Sequence, residues 1–139
     1  ASTTDTRVRV ELRPHGIPAP LQDRLWEDVD LSGGSKVLDA VDTGKVMNVT
    51  VGSDTNVVTL PATASGVSLR IRAGVSGERV AVSPNSSDLI RGANLPGVDD
   101  KDRILTAATA KLGDYIAVEA DAIVGWHVVA ERGIWTQES

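Results

Sequence analysis

The chain has 139 residues, a formal net charge of −5, three tryptophans, one tyrosine, one methionine, and neither phenylalanine nor cysteine. That length suits a single domain burying roughly two thirds of its unfolded surface, and the missing thiols exclude disulfides, thiolate metal sites and a cysteine nucleophile while suiting a reducing cytosol. No stretch gathers Lys and Arg into the basic face that phosphate recognition needs; no apolar run approaches the roughly 20 residues of a bilayer span; and the polar start Ala1-Ser-Thr-Thr-Asp-Thr6 has no secretion-signal pattern. A soluble chain made in the cytoplasm, with neither nucleic acid nor membrane as partner, is therefore expected.

Residues 6–12 alternate, with Val8, Val10 and Leu12 on one face and Arg7, Arg9 and Glu11 on the other, the pattern of a half-buried strand. Pro14, Pro18 and Pro20 then break regular structure, because proline removes backbone donors and favours extended geometry. Leu21, Leu25, Trp26 and Val29 are spaced for a short amphipathic helical turn over 21–31, and the Gly/Ser stretch 32–35 reads as a linker. The expected organisation is an N-terminal extension, residues 1–35, followed by a β domain over 36–139.

From Lys36 onward every signal is β. Short strands are expected over 37–41, 45–51, 56–60, 67–73 and 79–83, with turns at 52–55, 74–78 and 84–88. Pro61 closes the third of these, since proline cannot donate to a central ladder. Leu89 and Ile90 lead into an irregular loop over 94–102. Residues 103–111 include the β-compatible Ile104 and Thr106, 115–120 alternate, and 126–130 form a strand with Trp126, Val128 and Ala130 on one side. Gly133 then permits a bend that folds Ile134 and Trp135 back over the sheet. No repeat of fixed period is visible, which disfavours a solenoid or propeller. The fold class is all-β, a single compact β-sandwich, jelly-roll-like or barrel-like domain. Its core is mainly Val, Leu, Ile and Ala, whose modest buried areas make subunit association useful.

Chemistry-bearing patterns are sparse. His15 lies in the proline-rich segment and His127 alternates outward, and two imidazoles are too few for a three-histidine zinc site. There is no nucleophile elbow, phosphate loop or His-Glu-x-x-His, so an enzyme is not expected and no cofactor is implied. Asp99, Asp100 and Asp102, with Asp88 or Asp114 if loops converge, carry hard oxygen ligands suited to calcium, but they lack the alternating ligands and closing glutamate of a calcium loop. Solvation or ion pairing with Lys101 and Arg103 is the plainer reading. The sequons at Asn48 and Asn85 read as chance matches. Trp126 and Trp135 are expected in the core or an interface, whereas Trp26, with Val8, Val10 and Leu12, is a candidate for contact with a partner protein or neighbouring subunit.

The ordered pieces Val58-Thr-Leu-Pro61, Gly66-Val-Ser-Leu-Arg-Ile71 and Val80-Ala-Val-Ser-Pro-Asn-Ser-Ser-Asp-Leu-Ile90 resemble a β module of tailed-bacteriophage structural proteins. The continuation Asp99-Asp-Lys-Asp-Arg103, Ala107-Ala-Thr-Ala-Lys111, Gly113-Asp-Tyr115 and Gly125-Trp-His-Val-Val129 is similar to the capsid decoration, or cement, proteins of that group. The likeness covers residues 56–136 and leaves the first 35 unmatched. It implies a homotrimer on the capsid exterior, near three-fold or quasi-three-fold positions, partnered by the major capsid protein and stabilising the shell. Weak contacts presented three at a time would make attachment durable. A receptor- or carbohydrate-binding module of a phage tail or fibre is the alternative.

Overall fold

The computed structural model of the chain describes residues 25–63, 66–85, 88–92, 100–121 and 125–138. The expectations placed on Val8, Val10, Leu12, His15, the prolines before residue 21 and Asp99 fall outside those residues.

Among the described residues eleven strands form two mixed sheets, in agreement with the all-β sandwich expected from the pattern. The first six strands alternate between the sheets. β1 (Trp26–Asp30), β3 (Val46–Val51) and β5 (Ser68–Ala73) lie parallel and adjacent in one sheet. β2 (Lys36–Val37), β4 (Val58–Thr59) and β6 (Val80–Ser83) do the same in the other. The chain therefore winds through three coils of a flattened parallel solenoid. Trp26 stands beside Val46 and Val46 beside Arg70 in the larger sheet; Lys36 stands beside Val58 and Val58 beside Val82 in the smaller. In both sheets the second step along the chain is longer than the first. This corrects the expectation that solenoid winding is absent, because a period that drifts leaves no fixed repeat in the sequence.

The winding stops where antiparallel strands take over. In the larger sheet β5 is followed by β9 (Tyr115–Asp121), β10 (Gly125–Arg132) and the edge strand β7 (Ile90–Arg91). In the smaller, β6 is followed by β8 (Arg103–Leu105) and the edge strand β11 (Trp135–Gln137). Alternation sends Met47 and Val49, Leu69 and Ile71, and Ile116 and Val118 into the space between the sheets, all at most 3% exposed. The core cluster is aliphatic apart from Met47, Trp126 and Trp135.

Three local readings need correction. Residues 26–30 are a strand and not a helical turn: the parallel ladder with β3 puts Val29 inward, and two positions on Leu31 is also buried, a period of two that a helix does not give. The Gly/Ser stretch is a corner of the winding and not a linker. Asp30 caps a 3-10 turn over Leu31–Gly33 by accepting from Ser32, Asn56 Nδ2 donates to the Leu31 carbonyl, and Val57 N–H donates to Ser35 Oγ. Residues 25–35 thus belong to the β body. The strand expected over 37–41 ends at Val37, and a second 3-10 turn, Ala40–Asp42, follows.

In β10 a bulge between Val128 and Ala130 breaks the expected alternation. Val128 stays opposite Val118, but Ala130 moves to the outer face opposite Ala117. Gly133, at φ 100°, then crosses the chain into the second sheet. There Trp135 is buried while Ile134 is 60% exposed, so only one of the pair covers the core.

Candidate interaction surface

Among the described residues, the open end of the winding is the first coil, where β1 and β2 are the edges of their sheets. Of seven exposed large apolar side chains among the described residues, four, Leu25, Trp26, Val37 and Val41, belong to this coil. The two edges are clamped together by charge. Glu27, on β1, is 2.8 Å from Lys36 Nζ on β2 and 3.2 Å from Lys45 Nζ, and Lys45 also reaches Asp42 at 2.9 Å. The hydrogen bond from Lys36 holds the Glu27 carboxyl below its ordinary value, outweighing partial burial, with Lys45 adding to the effect. For Asp42, burial opposes ionisation but is overcome by the Asp39 N–H and Lys45. Lys45 is correspondingly raised by Asp42 and Glu27, and Asp30 is lowered by the Ser32 hydroxyl and amide.

The outer face of the larger sheet carries a polar ladder across β1, β3 and β5. Asp28, Asn48 and Arg72 share one register row. Trp26 Nε1 and Asn48 Nδ2 each donate to Asp28 Oδ1 at 3.1 Å, and Arg72 Nη1 donates to Asn48 Oδ1. The Arg72 guanidinium lies 5.5 Å from the Trp26 ring centre and that of Arg70 lies 4.4 Å from the Tyr115 ring, distances at which a cation is attracted to an aromatic face. Asn48 is 8% exposed with its amide bonded on both sides, which gives the sequon there a structural use. A shallow depression of about 320 Å³ between the strands is lined by Val46, Arg70, Ala117, Glu119 and Val129 among others.

The remaining candidates are dispersed. Trp126 is fully buried opposite Ala120 and beside Ile90, and Trp135, 7% exposed, donates through Nε1 to the Arg132 carbonyl. Trp26, by contrast, is 45% exposed. Asp100, at φ 64°, donates its N–H to the Asp88 carbonyl. Asp102 exchanges two hydrogen bonds with Glu138, N–H to carboxylate and carbonyl to N–H. Burial pushes the Asp102 carboxyl upward, a hydrogen bond from Ser83 opposes this, and Glu138 adds to it. Asp114 is buried and accepts from Lys111 N–H, a turn-closing role. Among the described residues no three acidic or histidine side chains gather as a metal site would need. His127 lies 3.8 Å from Asp121 on the outer face.

Two features were missed at the level of sequence. Arg103, read as a surface ion-pairing partner, is 2% exposed and donates to the Ile90 carbonyl, tying β8 of one sheet to β7 of the other; burial lowers its affinity for the proton, with Glu131 acting the other way. Its inward register opposite Val82 is the signal that pairing would have supplied. The Asp28–Asn48–Arg72 row likewise needs strand order, because each member comes from a different coil and is far from the others in the chain. No family model, curated protein or solved structure matches the chain.

Proposed function

We propose that the protein is a capsid decoration protein of a tailed bacteriophage: a trimer that binds the outer surface of the assembled shell, at or near its three-fold positions, and stabilises it. The observation that carries this reading is the first coil, which among the described residues presents two sheet edges flanked by exposed Leu25, Trp26, Val37 and Val41. Sheet edges with apolar flanks dock onto other proteins by strand addition. The resemblance gives the partner its identity, and the residues that carry it fall largely on strands, Val58 on β4, Leu69 and Ile71 on β5, Val80 and Val82 on β6 and Trp126 on β10. The segment 1–24 directly precedes this coil in the sequence, and we assign attachment to the coil together with that segment.

The test is sedimentation of the purified protein, expected to run as a trimer, followed by binding to shells assembled from the major capsid protein of the same phage. Deleting residues 1–12 is expected to abolish shell binding and leave a folded trimer. Unchanged binding by the truncated protein, or by a Val37→Asp/Val41→Asp variant, would overturn the assignment of the surface.

One observation favours a glycan- or receptor-binding module instead: Trp26 is half-exposed beside Asp28 and Asn48, an aromatic platform with polar neighbours. Arg72 already occupies part of that ring's surroundings. With Trp126 and Trp135 buried, Trp26 is the fluorophore a sugar would reach, so sugar-dependent quenching that vanishes in Trp26→Phe would select this reading.

A further inference from the structure

We propose that the outer face of the larger sheet, where Arg70, Arg72 and Arg132 flank Tyr115, docks an extended acidic segment of a partner protein through its carboxylates. Strand register brings the three arginines together. Arg72 on β5 and Arg132 on β10 are the two cross-strand neighbours of Tyr115. Arg70, two positions before Arg72, lies with its guanidinium 4.4 Å from the centre of the Tyr115 ring. Alternation puts all of them on the face away from the core, since the adjoining Leu69, Ile71 and Ile116 point inward and are buried. Arg70 and Arg132 are exposed, and Arg72 and Tyr115 are half-buried.

Two features suit this cluster to carboxylates. The first is that the guanidinium groups are held in place without being neutralised. Arg70 is stacked on Tyr115, and Arg72 lies 5.5 Å from the Trp26 ring centre while giving one donor to Asn48. Among the described residues no carboxylate pairs with Arg70, Arg72 or Arg132, although the chain has 19 acidic residues against 14 basic ones. A guanidinium already fixed by stacking loses less freedom on meeting a carboxylate, and its fork of donors matches the two oxygens.

The second feature is spacing. Arg70 and Arg72 stand about 7 Å apart along β5, the same interval at which alternate side chains of an extended peptide recur. Two carboxylates at alternate positions of such a segment therefore meet both arginines. The next side chain facing the sheet reaches the depression beside Arg70, whose lining includes Val46, Ala117 and Val129, and an apolar group fits there. Glu119 also lines that depression and stands opposite Ser68, so it confines the acidic part of the segment to the arginine end.

Other occupants fit less well. A guanidinium lies over each of the two aromatic rings on this face, so neither is an open platform for a sugar or a base. The net charge of −5 opposes the approach of a nucleic acid. The inference does not depend on the capsid reading, because its test uses a free peptide.

Full-length protein is titrated into a fluorescein-labelled peptide of alternating glutamate and valine, and binding is followed by anisotropy at low salt. The peptide is expected to bind, and its glutamine-for-glutamate counterpart is not. Arg70→Gln and Arg132→Gln are each expected to weaken binding roughly tenfold. Arg70→Lys should restore only part of the loss, because the charge is kept and the fork is not. No binding of the acidic peptide, equal binding of the glutamine peptide, or unchanged affinity in both glutamine variants would each overturn the proposal. So would displacement of the peptide by equimolar inorganic phosphate or oligothymidylate. Self-association on sedimentation that both variants abolish, with no peptide bound, would give the face to a second copy and overturn it as well. If a variant fails to fold, the comparison of the two peptides on the unsubstituted protein still decides.

Discussion

Replacing Gly74 by alanine tests whether the Asp28–Asn48–Arg72 row holds the first three strands of the larger sheet together. A Cβ at residue 74 would lie 2.7 Å from Asn48 Oδ1, 2.8 Å from Nδ2 and 2.9 Å from Cγ, closer than any of these atoms tolerates, so the amide must move. It has little freedom to do so, since it donates to Asp28 and accepts from Arg72. Each of these part-buried bonds to a charged group contributes about 1.5 kcal/mol net, so Gly74→Ala is expected to destabilise the protein by about 3 kcal/mol. Urea unfolding followed by Trp fluorescence measures it, with the midpoint shifting at constant slope. A double-mutant cycle identifies the cause. In an Asn48→Ala background the clash is gone, and Gly74→Ala should be close to neutral. If the two losses simply add, the close approach of Gly74 to Asn48 is not responsible.

Other positions yield expectations of known sign. Gly133→Ala combines a left-handed φ of 100° with a Cβ 2.6 Å from the Asp114 carboxylate, so a loss of about 2 kcal/mol or more is expected in chemical denaturation. Asp102→Asn is expected to raise the melting temperature at neutral pH. Its carboxyl is raised in the folded state, so the ionised form costs stability above that value, and wild type gains stability as pH falls through it toward 3.8. Calorimetry from neutral to acid pH should show that gain in wild type and not in the variant. Glu27 has the opposite sign. Its folded value is depressed by Lys36, so its contribution is complete above 4.5 and is lost as pH falls through the depressed value; Glu27→Gln should remove that part of the acid limb, and added salt should shrink the difference.

The legible parts of the fold are strands whose two faces meet different surroundings. Residues 68–73 and 115–118 alternate because one face meets the core and the other meets solvent or the polar ladder, and their sequence shows it directly. β1 was obscured because Trp26 and Val29 suit a helical spacing and its acidic residues are poor strand formers; pairing to β3 overrides both. β2 and β7, two residues each, are fixed by their neighbours and carry no period of their own. The solenoid winding was hidden because coils of unequal length put no residue type back at a constant interval, and only the ladders Trp26–Val46–Arg70 and Lys36–Val58–Val82 reveal it. At the candidate surface Trp26 is legible in the sequence only as a contact candidate, whereas the burial of Arg103 and the use of Asn48 depend on partners that only strand order brings near.

The asymmetry between the two ends of the winding limits what can be assembled from it. A stack of coils that could be extended at both ends would let one molecule template the next, and filaments would follow. Here the third coil is closed by β8 and β9 running against it, and the final edges, β7 and β11, are only two and three residues long, too short to offer a long template. Strand addition at the first coil therefore has no matching counterpart at the far end. Such addition would not propagate through the far edges, β7 and β11, among the described residues.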